Sequence, residues 1–261
     1  MLVAMRSLLA RLRQTRFVTR AVFALVALPL LVNAVAFGRD SATPWFEQRR
    51  DSAGLAPDPA ATPEAVIQIY AVRAVGWRGV FSVHTWVAVK PSGAASFTRY
   101  EVIGFGVSRG LPAVVIDRTG PDNYWFGARP ELVLDRRGPG VDALIERIRA
   151  AAESYPYPHS YWAWPGPNSN TFTAHIGRAV PELGLVMPSN AIGKDFLPDG
   201  DLVAATPSGT GYQASLFGLF GLTAARDEGI ELTLLGLTIG IDVASPAIKL
   251  PGIGRIGLPR S

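Results

Sequence analysis

The chain has 261 residues, 48% of them hydrophobic and 18% charged, which leaves room for one or two domains with a sizeable core and excludes a disordered polymer. Its net charge of +4 arises in Met1 to Arg20, where Arg6, Arg11, Arg13, Arg16 and Arg20 stand without an acid; the rest carries 20 basic against 21 acidic side chains, so no nucleic-acid partner is expected. The lack of cysteine removes a disulfide framework, a thiolate metal site and a thiol nucleophile, and the three histidines show no H-E-x-x-H, so neither a metal nor another cofactor is expected.

After the arginines comes an uncharged apolar run, Ala21 to Gly38. A basic flank before such a run is the layout of a signal anchor or a signal peptide, with Ala34 to Ala36 offering a small-residue cleavage site. We expect residues 1–38 to be this segment, forming an N-terminal membrane helix if retained. By the positive-inside rule the remainder then lies at the cell membrane facing the periplasm or the cell exterior. Residues 39–63, rich in Ala, Pro, Asp and Arg without periodicity, are expected as a flexible tether, and 64–261 as a single domain.

Within that domain "AVIQIYAVRA", "VFSVHTWVAVK", "FTRYEVIGFGV" and "LPAVVIDR" are β-branched and aromatic runs separated by Gly, Pro and Ser, which predicts three or four strands in a meander. Alternation puts His84 with Ser82, Trp86 and Ala88 on one face of the second strand. "GVDALIERIRAAAESYP" has Val141, Leu144, Ile145, Ile148 and Ala152 at helical spacing, with Pro156 just past the end. A second helix starts at Asn168 to Asn170, where Phe172, Ile176, Ala179 and Leu183 recur at steps of four, three and four, and Pro181 ends it. Ala214 to Ala225 and Leu232 to Ile241 are apolar runs around a charged "ARDEG" turn. They are too short to span a membrane as helices and read as a buried hairpin, with lipid contact at the surface as the alternative. The fold class is therefore α+β: an antiparallel sheet with at least two packed helices and a C-terminal β-hairpin.

"GIGRIG", Gly252 to Gly257, spells the dinucleotide fingerprint, but no helix can follow it in the four residues that remain, and "PSGTG" and "AIGKD" lack the full phosphate-loop pattern. Ser169, at a helix start, either caps the helix or acts as a nucleophile with N–H groups near Asn170 as oxyanion donors. A serine nucleophile needs a base and the base an orienting group. His84 and Glu101, on successive strands, can fill those places; equally, Glu101 can pair with Arg99 or Arg78.

"GWRGVFSVHTWVAVKP", "RYEVIGFG", "YWFGARPEL", "WPGPNSNTF", "AIGKDFLP" and "KLPGIGRIG" together resemble a bacterial envelope family, domain of unknown function 3750, over about Ile67 to Gly257. A histidine on an early strand, a polar residue on the next and "NSNTF" at a helix start are also similar to the circularly permuted papain-like amidases and acyltransferases. That likeness implies Ser169 as nucleophile, His84 as base and Glu101 as its orienter. The departure is serine where those families place cysteine, and a hydroxyl is far harder to ionise than a thiol. Two functions follow as expectations. One is a hydrolase or acyltransferase acting on an envelope amide or ester, with Asn168, Asn170, Trp86 and Trp164 in contact with substrate. The other is a non-catalytic module whose Trp- and Tyr-rich loops bind lipid, glycan or peptide.

Overall fold

The computed structural model describes residues 14, 16, 20, 23–35, 44, 46–117 and 119–259. The chain is α+β, with two antiparallel sheets. The expected anchor, Ala21 to Gly38, falls partly outside the described residues; among those described, no helix is long and apolar enough to cross a membrane. Residues 23–35 form a helix, α1. Its Asn33 donates to Val80 O at 3.0 Å and to Gly252 O at 2.8 Å. Within the stretch expected as a tether, Ser52 donates to Asp122 and the Leu55 and Ala56 N–H groups donate to the same carboxylate.

The first sheet has the order β4-β3-β2-β1-β5, from β1 (Val66–Arg73), β2 (Val83–Lys90), β3 (Thr98–Val102), β4 (Val114–Asp117) and β5 (Glu131–Arg137). β1 to β4 form the expected meander. β1 and β2 are apolar nearly throughout because both faces are covered. Ile67, Ile69, Val87 and Val89 meet the two helices α2 (Val141–Glu153) and α3 (Ser169–Ala179), whereas Tyr70, Val72, Trp86 and Ala88 form a second core with Phe97 and Trp125. α2 buries Val141, Ile145, Ile148 and Ala152, the stripe its periodicity predicts. α3 buries Phe172 and Ile176 and stops before Pro181, which cannot donate to a continuing helix.

The C-terminal region is where the structure departs from the expected hairpin. It is a seven-stranded meander, order β12-β11-β10-β9-β8-β7-β6. Its strands are β6 (Val203–Ala205), β7 (Gly211–Leu216), β8 (Phe220–Ala225), β9 (Gly229–Leu234), β10 (Leu237–Asp242), β11 (Ala247–Leu250) and β12 (Gly254–Gly257). Each apolar run holds two strands folded at a hidden turn. Phe217 and Gly218 break the first and Leu235 and Gly236 the second, all four at positive φ. The second turn is a two-residue loop between the paired Leu234 and Leu237, the first a three-residue loop between Leu216 and Phe220. The usual sign of a tight hairpin turn with positive φ in a sequence is Asn-Gly.

In this sheet the polar side faces in. Glu231 is 1% exposed and the next residue, Leu232, 48%. Inside, Lys194 bridges Asp195 at 2.9 Å and Glu231 at 2.7 Å, and Lys249 donates to Glu231 from the other side. Thr233 donates to Asp195, and Arg178 of α3 donates to Lys194 O and Gln213. Buried charges must be paired and hydrogen-bonded, and these are. Burial depresses Lys194, but Asp195 and Glu231 more than offset it and the ammonium is raised above its ordinary value. Burial raises Glu231, yet its two lysines hold it below the usual carboxylate range. "AIGKD", which reads in the sequence as a turn, is the bolt between the two sheets.

Candidate functional site

The loop "WPGPN" leads into α3, with the Trp164–Pro165 and Gly166–Pro167 peptide bonds cis. Asn168, in an extended conformation, caps the helix: its side-chain oxygen accepts from Asn170 N at 2.9 Å and Thr171 N at 3.2 Å, and Thr171 Oγ1 accepts from Asn168 N, closing a capping box. Asn168 Nδ2 donates to Ile192 O at 3.1 Å. That approach requires a glycine at 193, where φ is +99° and a Cβ would sit 2.4 Å from the Asn168 amide. Asn170 donates to Val83 O and Ile192 O and accepts from Thr85.

These bonds fix where the residues expected at the site stand. Asn168 and Asn170 are buried and their amide N–H groups donate within the protein, while both residues also line the cleft that Ser169 reaches. The Asn170 N–H, expected as an oxyanion donor, is held by the cap. Of the first N–H groups of α3, the one without an acceptor is that of Ser169 itself. Trp86 is fully buried, with its indole N–H on Pro121 O at 2.7 Å, and contacts no open space.

His84 and Glu101 do meet, Nε2 to Oε2 at 3.0 Å, and Arg99 donates to the same oxygen at 2.8 Å. The imidazole stacks on Trp125 with ring centroids 4.3 Å apart, and the Arg99 guanidinium lies 4.0 Å over Trp86. Burial pushes His84 below its ordinary 6.5, and the hydrogen bond that its Nε2–H donates to Glu101 restores this only in part. Burial raises the Glu101 carboxyl, but His84 and Arg99 more than compensate and hold it below 4.5. At neutral pH the group is therefore a neutral histidine beside an ionised carboxylate and an arginine.

Ser169 is 3% exposed, and its hydroxyl makes no hydrogen bond within the protein; nor does His84 Nδ1. Both residues line one cleft of about 730 Å³. They reach it from different sides of the sheet. His84 shares the face of Trp86 and Val72, whereas α3 packs on the opposite face, where Thr85 donates to Asn170 and Thr173. No hydrogen bond joins Ser169 to His84.

The cleft walls are mostly apolar and aromatic: Phe81, Phe105, Trp125, Tyr161, Leu235 and Leu237. Trp77, Trp162 and Trp164 stand at its rim, 65%, 66% and 53% exposed. Trp164 is fixed there by its indole N–H on Leu235 O at 2.9 Å, so the candidate loop and the second sheet meet at the cleft. Among the described residues no cluster of His, Asp and Glu could hold a metal ion. Trp125, Leu235 and Leu237 lie far from Ser169 in the chain; Trp125 belongs to one of the Trp- and Tyr-rich loops expected to bind, whereas only the glycine after Leu235, which marks a turn, hinted at the place of the two leucines.

No curated protein and no solved structure matches the chain, so the likeness to permuted papain-like folds finds no support there. One family does match, over residues 64–196. That span takes in β1 to β5, α2, α3 and the loop bearing Lys194, and stops short of β6 to β12 and the glycine-rich end. Covering half of the sequence, the match shows that the chain belongs to the family described as Protein of unknown function (DUF3750).

Proposed function

We propose that the protein is a membrane-associated envelope module that takes the apolar tail of a lipid or acyl ligand in the cleft between Trp125 and Trp164. The observation that carries this reading is the lining: aromatic and aliphatic walls with a few fixed polar groups, at a volume within the ordinary range of small-ligand sites. The arginine-flanked apolar segment at the N-terminus favours a place at the cell membrane, with the domain outside the cytoplasm. Titration of the full chain with a fluorescent polyene fatty acid tests the reading. Phe105→Arg, at an exposed cleft position, should weaken binding by about tenfold or more, equivalent to about 1.4 kcal/mol. Leu222→Arg, on the outside of the second sheet, should not. Equal weakening by both, or by neither, would remove the cleft as the site.

A second reading, a serine-dependent hydrolase or acyltransferase, is favoured by the unpartnered Ser169 hydroxyl and N–H and the unpartnered His84 Nδ1 in one cleft. Closure of the cleft would have to bring the two together. Fluorophosphonate labelling of the parent, Ser169→Ala and His84→Ala, after equal melting has been confirmed, decides it. Labelling lost in both variants would establish acyl chemistry, whereas a folded parent that does not label leaves Ser169 as the first residue of a capped helix.

A further inference from the structure

Strand pairing defines the outer face of the seven-stranded sheet. Leu222 pairs with Leu232, Leu232 with Ile239, Ile230 with Ile241, Ile241 with Ile248 and Ile248 with Ile256. Every Asp, Glu, Lys and Arg within these strands lies on the other face or at its margin, tied into the inner network. Leu222, Ile230, Leu232, Ile241, Ile248 and Ile256 are each between 47% and 54% exposed. At about 4.8 Å between strands and about 3.4 Å per residue, seven strands of up to six residues present roughly 600 Å², the upper end of what a monomer leaves uncovered. A sheet with polar groups inside and aliphatic groups outside is the pattern that hydrocarbon selects.

Two further observations say what covers this face. The first is continuity with α1, whose Phe23, Leu25, Leu28, Leu31 and Val32 are exposed. It is fastened by Asn33 to Gly252 O, in the turn between β11 and β12, so the apolar helix is attached at the end of the sheet that carries the apolar face. The second is charge. The sequence before that helix carries five arginines and no acid, complementary to an anionic surface, while the face itself is uncharged. Trp162 and Trp164 stand where the sheet meets the cleft, a position suited to aromatic rings at a lipid–water boundary.

We propose that the outer face of the seven-stranded sheet rests in the interfacial layer of an anionic phospholipid bilayer, with α1 beside it. This inference stands on the sheet and does not rest on the reading of the cleft. The absence of native cysteine allows a direct test in the full chain. Leu222→Cys, Leu232→Cys and, as a control on the exposed side of α2, Ala143→Cys are labelled with an environment-sensitive fluorophore and added to vesicles of phosphatidylglycerol and phosphatidylcholine bearing chain-linked nitroxides. The proposal expects a blue shift and quenching at 222 and 232, and neither at 143. Quenching at 143 as well would mean general insertion and overturn it. Without quenching at 222 and 232, oxidative cross-linking of unlabelled Leu232→Cys between copies would assign the face to a second chain, and its absence would leave the face in water. Both outcomes overturn the proposal.

Discussion

The two sheets solve opposite problems with the same alternation. In the first, Ile69 and Val87 pair across β1 and β2 and are fully buried against α2 and α3, while the other face is covered by Trp125 and its neighbours. In the second, Glu231 and Thr233 go in and Leu232 and Leu234 go out. What differs is the surface each sheet meets: the first meets helices with apolar stripes, the second meets Lys194, Asp195 and Arg178. Period two tells which residues share a face, but the partner decides which face is inside.

The second sheet depends most on Glu231. Replacing it with leucine leaves Lys194 and Lys249 short of their shared carboxylate and should cost about 3–5 kcal/mol, seen as a lower guanidinium midpoint of the full chain. An unchanged midpoint would mean that the charges do not hold this sheet in place. Ile69→Ala, in the first sheet, should cost about 2–4 kcal/mol through a cavity. Asn33→Ala removes two hydrogen bonds and should loosen α1 by about 1–2 kcal/mol, read as faster amide exchange over 23–35 with the strands unaffected.

Acid should separate the two sheets. His84, and His175 in α3, are depressed by burial, so each binds a proton more readily when unfolded; stability is full above 6.5 and falls as pH drops below it. Glu231 is held below 4.5, so the contribution of the second sheet is lost only as pH falls beneath that value. Amide exchange followed from pH 7 to 4 should show β2 opening before β9, and the reverse order would contradict these assignments. The smallest expected effect is Leu232→Ala without lipid, within about 0.5 kcal/mol, although it neighbours Glu231.

Much of the first sheet was legible. The apolar runs marked β1 to β4, the periodicity of Val141, Ile145 and Ile148 marked α2, and Asn168 with Pro181 bracketed α3. The second sheet was misread because Phe217-Gly218 and Leu235-Gly236 turn without asparagine or aspartate, so each pair of strands looked like one run. The sequence left Glu101 to pair with His84 or with an arginine such as Arg99, and the structure makes both pairings, since all three side chains share one face of neighbouring strands. Their relation to Ser169 was not legible, because no local pattern states which face of the sheet a later helix will cover. Nor could spacing reveal that Asn168 and Asn170 spend their amides on backbone carbonyls of the loop around Ile192.

The inverted sheet should also leave a mark in the heat capacity of unfolding. In water its aliphatic face is already hydrated in the native state, so unfolding wets little new hydrocarbon there, while the residues around Glu231 and Asp195 add polar surface. Apolar hydration raises the heat capacity and polar hydration lowers it, so β6 to β12 should add almost nothing to the increment, or subtract from it. A calorimeter would then report an increment below the roughly 12–15 cal/mol/K per residue usual for a globular chain, as though part of the molecule had never been folded.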